Sequence, residues 1–270
     1  MKKLINQKPA RIYAVLLGVL PLLLLLVLYA VASEARLAEN PADKLLPSFS
    51  SMGDAMMRMA FEPNRRTGDY LLWVDTASSL KRLGFGVAIA AFLGLIIGIA
   101  TGSIPYLKST FSPLLTILSL IPCLALLPIL FIVLGLGELS KVTLIAIGIT
   151  PFIARDIQQR ASEIPHEQLI KAQTLGANTA QIISRVLLPQ LMPKLINAIR
   201  LSLGTGWLFL IAAEAIASTD GLGYRIFLVR RYLSMDVIIP YVVWITLLAF
   251  LFDWLLRALN RRLFPWETIR

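Results

Sequence analysis

The hydrophobic positions of this chain gather into six long blocks separated by polar ones. They run from about Ala14 to Ala32, Leu83 to Gly102, Phe111 to Leu134, Leu139 to Ala154, Leu195 to Ala217 and Val237 to Leu256. A helix needs about 20 mostly apolar residues to cross a bilayer core, and the fourth block is short of that. The pattern predicts an all-α membrane protein with six transmembrane helices. In the second block Gly94, Gly98 and Gly102 recur every fourth residue. Such a smooth stripe lets two helix backbones approach each other, so it predicts a packing face. The third block carries Pro113, Pro122 and Pro128. Pro122 and Pro128 each remove a backbone donor and kink a helix, and the freed carbonyls must be buried in protein or line a wet path.

Between the first two blocks, Asn40-Pro41, Leu46-Pro47, Glu62-Pro63-Asn64 and Thr67-Gly68-Asp69 signal turns. Met52, Met56, Met57 and Phe61 recur among them near helical spacing. They predict a short amphipathic helix at the membrane interface, packed against the bundle.

Composition strengthens the membrane reading. Charged residues make up 16% of the 270 and hydrophobic ones 57%, against about a quarter charged in a soluble domain. The net charge of +10 lies between the apolar blocks, as expected of loops beside anionic lipid. No span-free basic domain exists, which excludes a nucleic-acid binder. The single cysteine, Cys123, rules out an intrachain disulfide, and with His166 as the lone histidine no metal site is expected.

Loop charge orients the chain. With the long segment from Ser33 to Arg82 set aside, 14 basic residues fall on the side of the N-terminal arm and 4 on the other. Both termini are therefore expected in the cytoplasm, the membrane being a bacterial inner membrane. Lys2, Lys3, Lys8 and Arg11, followed by an apolar run and Ala30-Val31-Ala32, imitate a signal peptide. The run exceeds a usual signal core, so a retained anchor is expected. The resulting organisation is an arm and first span over 1–33 and an extracytoplasmic segment over 34–80. A core of five spans over 81–260 contains a cytoplasmic loop at 155–193, and a cytoplasmic tail covers 261–270.

Few ionisable residues touch the spans. Glu214 is expected to face the pathway or its outer gate, or to pair with Arg225. Asp253 is one turn from Arg257 and can pair with it, while Arg200 lies where it can snorkel.

The cytoplasmic loop carries the clearest signal: IPHEQLIKAQTLGANTAQIISRVLLPQLMP, from Ile164 to Pro193. Pro165 suits a first helical position. Gly176 suits the left-handed residue that stops a helix. Asn178 with Gln181 resembles a capping box that opens a second helix. Pro189 and Pro193 mark a turn back into the membrane. A short helix, a glycine elbow and a second helix thus protrude from the bundle, a shape suited to a partner's groove.

This loop resembles the signature of binding-protein-dependent ABC importer permeases: EAA, three residues, Gly, nine residues, I-x-L-P. Ile170-Lys171-Ala172, Gly176 and Val186-Leu187-Leu188-Pro189 keep the spacing, with Ile170, Lys171 and Val186 replacing the usual Glu, Ala and Ile. Outside the loop, three stretches look like the nitrate/sulfonate/taurine/bicarbonate branch. They are IPCLALLPILFIVLGLGELSK, ending at Lys141, then GTGWLFLIAAEAIASTDGLG, ending at Gly223, and Arg261-Arg262-Leu263-Phe264-Pro265-Trp266. The long segment from Asn40 to Trp73 and YRIFLVRRYL look like permeases associated with urea-carboxylase or guanidine utilisation.

The resemblance implies a type I ABC importer permease whose coupling helix seats in a cytoplasmic ATPase subunit. Glu167, Leu169, Ile170, Lys171, Ala172, Gly176 and Pro189 would form or shape that contact. Pro122, Pro128, Thr205, Trp207 and Glu214 are the candidate pathway residues. A second permease copy, a periplasmic or lipid-anchored solute-binding protein and membrane lipid are the other implied partners. The solute would be a sulfonate-, taurine- or nitrate-like anion, or a guanidine- or urea-like nitrogen compound. No Walker motif, GxxxxGK[ST], is present. The nearest run, from Gly135 to Val142, lacks the second glycine and the hydroxyl. The chain is therefore expected to be no enzyme and to hold no cofactor, with ATP and Mg bound by the partner ATPase. A secondary transporter without an ATPase is the alternative, and it would show coupled intramembrane charges and often an inverted repeat.

Overall fold

The computed structural model describes residues 10–41, 43–65 and 68–269. Lys2, Lys3 and Lys8 of the N-terminal arm, and Thr67 of one turn signal, lie outside them. The described residues form helices joined by turns and short irregular segments, with no strand among them. The helices are α1 (Arg11–Glu39), α2 (Phe49–Phe61), α3 (Leu71–Ser103), α4 (Pro105–Leu120), α5 (Leu127–Leu134) and α6 (Glu138–Ser162). They continue with α7 (His166–Thr174), α8 (Thr179–Ile182), α9 (Leu188–Ile216), α10 (Leu222–Arg230) and α11 (Met235–Leu263).

Four helical stretches are long and apolar enough to cross a membrane: Ile12–Glu39, Leu71–Ser103, Thr179–Ile216 and Met235–Leu263. The expected third span is not one kinked helix. It breaks at Ile121 and Pro122 into two arms, Pro105–Leu120 and Cys123–Leu134, bent by 82°; the pair counts as a fifth crossing if both arms make one span. Pro122 forces the break because its ring excludes helical geometry at the residue before it. The expected fourth span, α6, does not reach the apolarity of the others, since Lys141 stands near one end and Arg155, Asp156 and Arg160 near the other. It sits instead at the centre of the bundle, with Ile145, Ile149, Ile153, Ala154 and Ile157 fully buried. A helix that faces protein on most sides does not need a lipid-compatible surface all round.

The glycine stripe on α3 packs against α6. A Cβ on Gly94 would lie 2.6 Å from Cγ2 of Ile153, one on Gly98 2.6 Å from Cβ of Ile157, and one on Gly102 2.6 Å from Cβ of Ala161. Gly86 meets Ile145 in the same way, so the two helices run parallel with a constant offset along four turns. α9 closes the other side of α6, where Gly148 receives the ring of Phe209.

α2 forms as expected, opened by Ser48, whose side chain accepts the Ser51 N–H. It buries Met52, Ala55 and Ala60 against the bundle. Met57 and Phe61 point away, because they lie outside the arc that touches α3 and α11. The apolar run of α1 packs on none of the core: every residue from Leu22 to Leu28 is more than half exposed. Only its C-terminal end is tied down, through Tyr29 Oη donating to the Pro47 carbonyl at 2.8 Å and Ser33 Oγ donating to that of Leu46 at 2.9 Å.

Because the α3–α6 contact leaves no room for a side chain, Gly98→Val is expected to destabilise the detergent-solubilised protein by about 1–3 kcal/mol through overpacking. Gly84→Val, where nothing lies within 4 Å of an added Cβ, should stay near the parent in the same thermal-unfolding assay. Equal losses in both variants would remove the close-packing role.

Candidate functional site

Nothing on α7 is buried, and it stands off the bundle as a short peg. Leu169 leans inward against the core and Ala172 is half-buried. Glu167, Ile170, Lys171 and Gly176 face outward. Ile170 and Leu175 are 55% and 84% exposed, unusual for large aliphatics at a charged tip. Pro165 is the residue just before the helix rather than its first residue. The helix ends in a complete Schellman turn. The Ala177 N–H donates to the Ala172 carbonyl at 3.0 Å and the Gly176 N–H to that of Gln173 at 2.9 Å, with Gly176 at φ +80°. The reciprocal capping box of Asn178 and Gln181 then opens α8, both bonds 2.9 Å.

The second half of the loop departs from expectation. Pro189 and Pro193 do not turn the chain. α8 runs through a wide π turn, Ile183–Leu187, straight into α9, giving one helical rod from Thr179 to Ile216. Pro189 sits in the first turn after the π segment, where its missing N–H costs little. α8, the π turn and α9 therefore form one continuous helical rod, about 57 Å long at 1.5 Å per residue, that begins just after the Gly176 elbow closing α7.

At its far end this rod enters a buried polar knot. Glu214 is fully buried and accepts from Ser79 Oγ at 2.8 Å, Arg82 Nη1 at 2.7 Å and the Gly223 N–H at 2.9 Å. Arg82, 4% exposed, also grips Glu138 through Nε at 2.6 Å and Nη2 at 2.7 Å, and reaches Asp220. The fork geometry of guanidinium suits three carboxylates at once. Asp75, likewise fully buried, accepts from Arg225 Nε at 2.7 Å, the Gly221 N–H at 3.0 Å and Tyr241 Oη at 3.2 Å. The Leu222 N–H donates to Ser79 Oγ at 2.9 Å. Three opening amides of α10 thus end on side chains of α3 and α9, which satisfies donors a helix start otherwise leaves bare. Gly221, at φ +114°, has no space for a side chain: a Cβ would fall 2.5 Å from the Glu214 carboxyl.

This corrects two expectations. Glu214 pairs with Arg82, and Arg225 with Asp75. Glu214 is also closed off from any open path by its own partners, although Glu138 and Asp220 at the rim of the knot stay accessible. Trp207 follows it: positions 207 and 214 share one side of α9, while 205 lies on the opposite side. Trp207 is buried. Thr205 lines a cavity of about 220 Å³ with Phe152, Asp156 and Ser202. Pro122 and Pro128 are exposed around the α4–α5 break. Asp253 does bond Arg257, at 2.7 Å. Arg200 does not simply snorkel; its Nε pairs with Asp253 at 2.9 Å.

Residues 83–265 match the model of the binding-protein-dependent transport system inner membrane component family. The chain belongs to this family. Its relatives include the taurine transport system permease protein TauC of Escherichia coli K12, 36% identical over 199 residues, covering 74% of this chain and 72% of that one. The nitrate import permease protein NrtB of Synechocystis is 26% identical over 196 residues, covering 73% and 71%. Among solved structures, a chain of the MetNI methionine ABC transporter in an inward-facing conformation superposes with a TM-score of 0.58 at 25% identity, covering 71% of this chain and 93% of that one. Relatives that are transport permeases fit a chain that is no enzyme. Its helices and family make it a multi-pass membrane protein.

The permease's knot was largely invisible in sequence. The second span read as starting at Leu83, which left Asp75, Ser79 and Arg82 in a loop. Their spacing of four and three residues is the signal that was available: it puts all three on one helix face. The run from Gly135 to Val142 also has a structural use, since Lys141 Nζ bonds Glu138 at 3.0 Å and Ser218 at 3.2 Å.

Removing Arg82 leaves Glu214 buried and short of its cation. Arg82→Ala is expected to cost about 3–5 kcal/mol, the range for breaking a buried ion pair by deleting one partner. Lys81→Ala, at an exposed neighbour, should be close to neutral in thermal unfolding. Similar small losses in both would mean the knot carries no stability.

Proposed function

We propose that two copies of this chain pair about a central path in a bacterial inner membrane, with both termini in the cytoplasm. Each copy seats α7 in a cytoplasmic ATPase subunit, which holds ATP and Mg. A periplasmic or lipid-anchored solute-binding protein delivers the solute to the outer face. The single observation that carries this reading is the rod from Thr179 to Ile216, which runs unbroken from the capped elbow beneath the exposed peg into the membrane core. A pull on α7 moves α9, and α9 carries the knot at its outer end. Closure of the ATPases and opening of the path are then one displacement, a two-state change driven by differential binding.

The solute is a small oxyanion. Taurine and nitrate, named for two relatives, differ in size but each presents one. A guanidinium-like solute calls for a carboxylate on its path, and among the candidate pathway residues Glu214 alone supplies one. That carboxylate is saturated by Arg82, Ser79 and a backbone N–H, so it is not available to a cation. Glu167, Ile170, Lys171 and Leu175 offer the ATPase contact, Leu169 and Ala172 root it, and Gly176 and Pro189 shape it.

Purification of the tagged chain from mild-detergent membranes, with mass spectrometry of its companions, tests the assignment. An ATPase subunit at one copy per permease is the expected result. A chain free of partners that moves solute in liposomes without ATP would overturn it. Gly176→Asp is expected to leave the amount of folded chain near the parent, because the residue is exposed with nothing within 4 Å of an added Cβ. Its left-handed φ resists a side chain, so the elbow shifts and solute-stimulated ATP hydrolysis should fall at least tenfold. Parent-level coupling in Gly176→Asp would remove the elbow's role.

A further inference from the structure

The outward faces of this bundle are not alike. α3 exposes Phe85, Phe92 and Ile96, and α11 exposes Val243, Leu247 and Phe250, as hydrocarbon requires. The face between α4 and α6 is different. Lys108, Ser112, Thr116, Arg155, Gln158 and their neighbours line a groove of about 500 Å³. One turn beyond Thr116, Ser119 accepts from Arg155 Nη1 at 2.7 Å. Positions 108, 112, 116 and 119 fall on one side of α4, so the polar stripe climbs about 16 Å along a span. A row of hydroxyls and two cations on lipid would be costly; the groove faces water or a second copy of the chain.

Its charge is also unbalanced. Lys108 Nζ donates to Ser162 Oγ at 3.1 Å, and Arg155 to Ser119. Neither cation has a carboxylate within 4 Å among the described residues. The one acid of the groove, Asp156, shares Arg160, at 3.7 Å, with Glu163, at 3.4 Å. Hydroxyl partners orient a cation without neutralising it. Phe152 and Asp156 are common to this groove and to the cavity beneath Thr205 and Ser202, so the two spaces share a wall.

We propose that this groove is the inner half of the solute path and selects for an oxyanion, with Lys108 and Arg155 as its two anion-handling residues and Ser112, whose hydroxyl accepts from Gln158, as a hydroxyl donor between them; the Thr116 and Ser119 hydroxyls donate to backbone carbonyls and shape the wall. Thr205 and Ser202 mark the deeper end. The proposal rests on the permease reading above, oxyanion solute included, and adds to it the residues that set that selectivity. Two cations in series on a low-dielectric wall raise the local concentration of an anion and exclude a cation, while their neutral partners leave the anion free to depart.

The test uses the full chain in inner-membrane vesicles, with Cys123→Ser as background and Thr116→Cys or Ser202→Cys as reporters. Two water-soluble thiol reagents are compared, the anionic sulfonatoethyl and the cationic trimethylammonioethyl methanethiosulfonate, each rate taken relative to a free thiol. The anionic reagent is expected to be favoured about tenfold at Thr116→Cys, and the preference should fall to about twofold or less with Lys108→Gln and Arg155→Gln together. Ile96→Cys, on the apolar face of α3, should react with neither. Preference for the cationic reagent would overturn the proposal. So would silence at both reporters, the result if the groove faces lipid or holds a lipid phosphate. Co-purification of the ATPase with the same reporter chains separates the two readings. A chain that keeps its ATPase but fails the labelling test remains a permease and loses the anion groove.

Discussion

Everything in this bundle is arranged around the contact between α3 and α6, where two backbones lie closer than side chains ordinarily allow. Inside a membrane, helix association has no hydrophobic driving force, so packing density must supply it. Glycine on α3 and β-branched isoleucine on α6 meet that demand: the bare backbone of one receives the stiff side chains of the other. The repeat continues over several turns, so the pair has one register and behaves as a single strut. α9 then docks on α6 through the Gly148–Phe209 contact, and α11 on α9.

The strut also explains where the charges stand. Arg82 is on α3 and Glu138 opens α6, so the parallel register carries their ends to the same level. Glu214 arrives from α9 running the opposite way, and the α9–α10 turn adds Asp220. A buried Arg with one carboxylate is an uncertain gain; with three acceptor groups and a backbone carbonyl, it is fully hydrogen-bonded. The bundle is thereby closed at one end by electrostatics and along its length by packing. The other end is left to the loop between α6 and α9, whose peg is exposed and whose second helix continues into α9. Rigid connection at one end and a fixed anchor at the other are the properties a lever requires.

Surface chemistry then divides the outside of the bundle. α1, α3 and α11 present aliphatic and aromatic side chains. α4 and the inner half of α6 present hydroxyls, amides and two cations without acid partners. A single chain buries few of these residues, which is the expected condition of a surface completed by a second copy or by water.

Composition and spacing alone determined that this is a helical membrane protein, where most spans run, and that a glycine elbow projects between two of them. They did so because hydropathy, glycine spacing and caps act locally: Gly94, Gly98 and Gly102 can pack a helix closely whatever they meet, and Gly176, Asn178 and Gln181 set their turn by themselves. The partners of charges were decided only in three dimensions. Glu214 and Arg225 are near in sequence, yet each found its counter-ion on α3, more than a hundred residues away. The tertiary structure also decided that Pro122 breaks its helix while Pro189 and Pro193 do not, because a proline's effect depends on whether neighbouring turns can widen to absorb a lost donor. It divided Thr205 from Trp207 and Glu214 as well, since residues two apart on one helix face opposite sides and only the packed neighbours fix which side is wet.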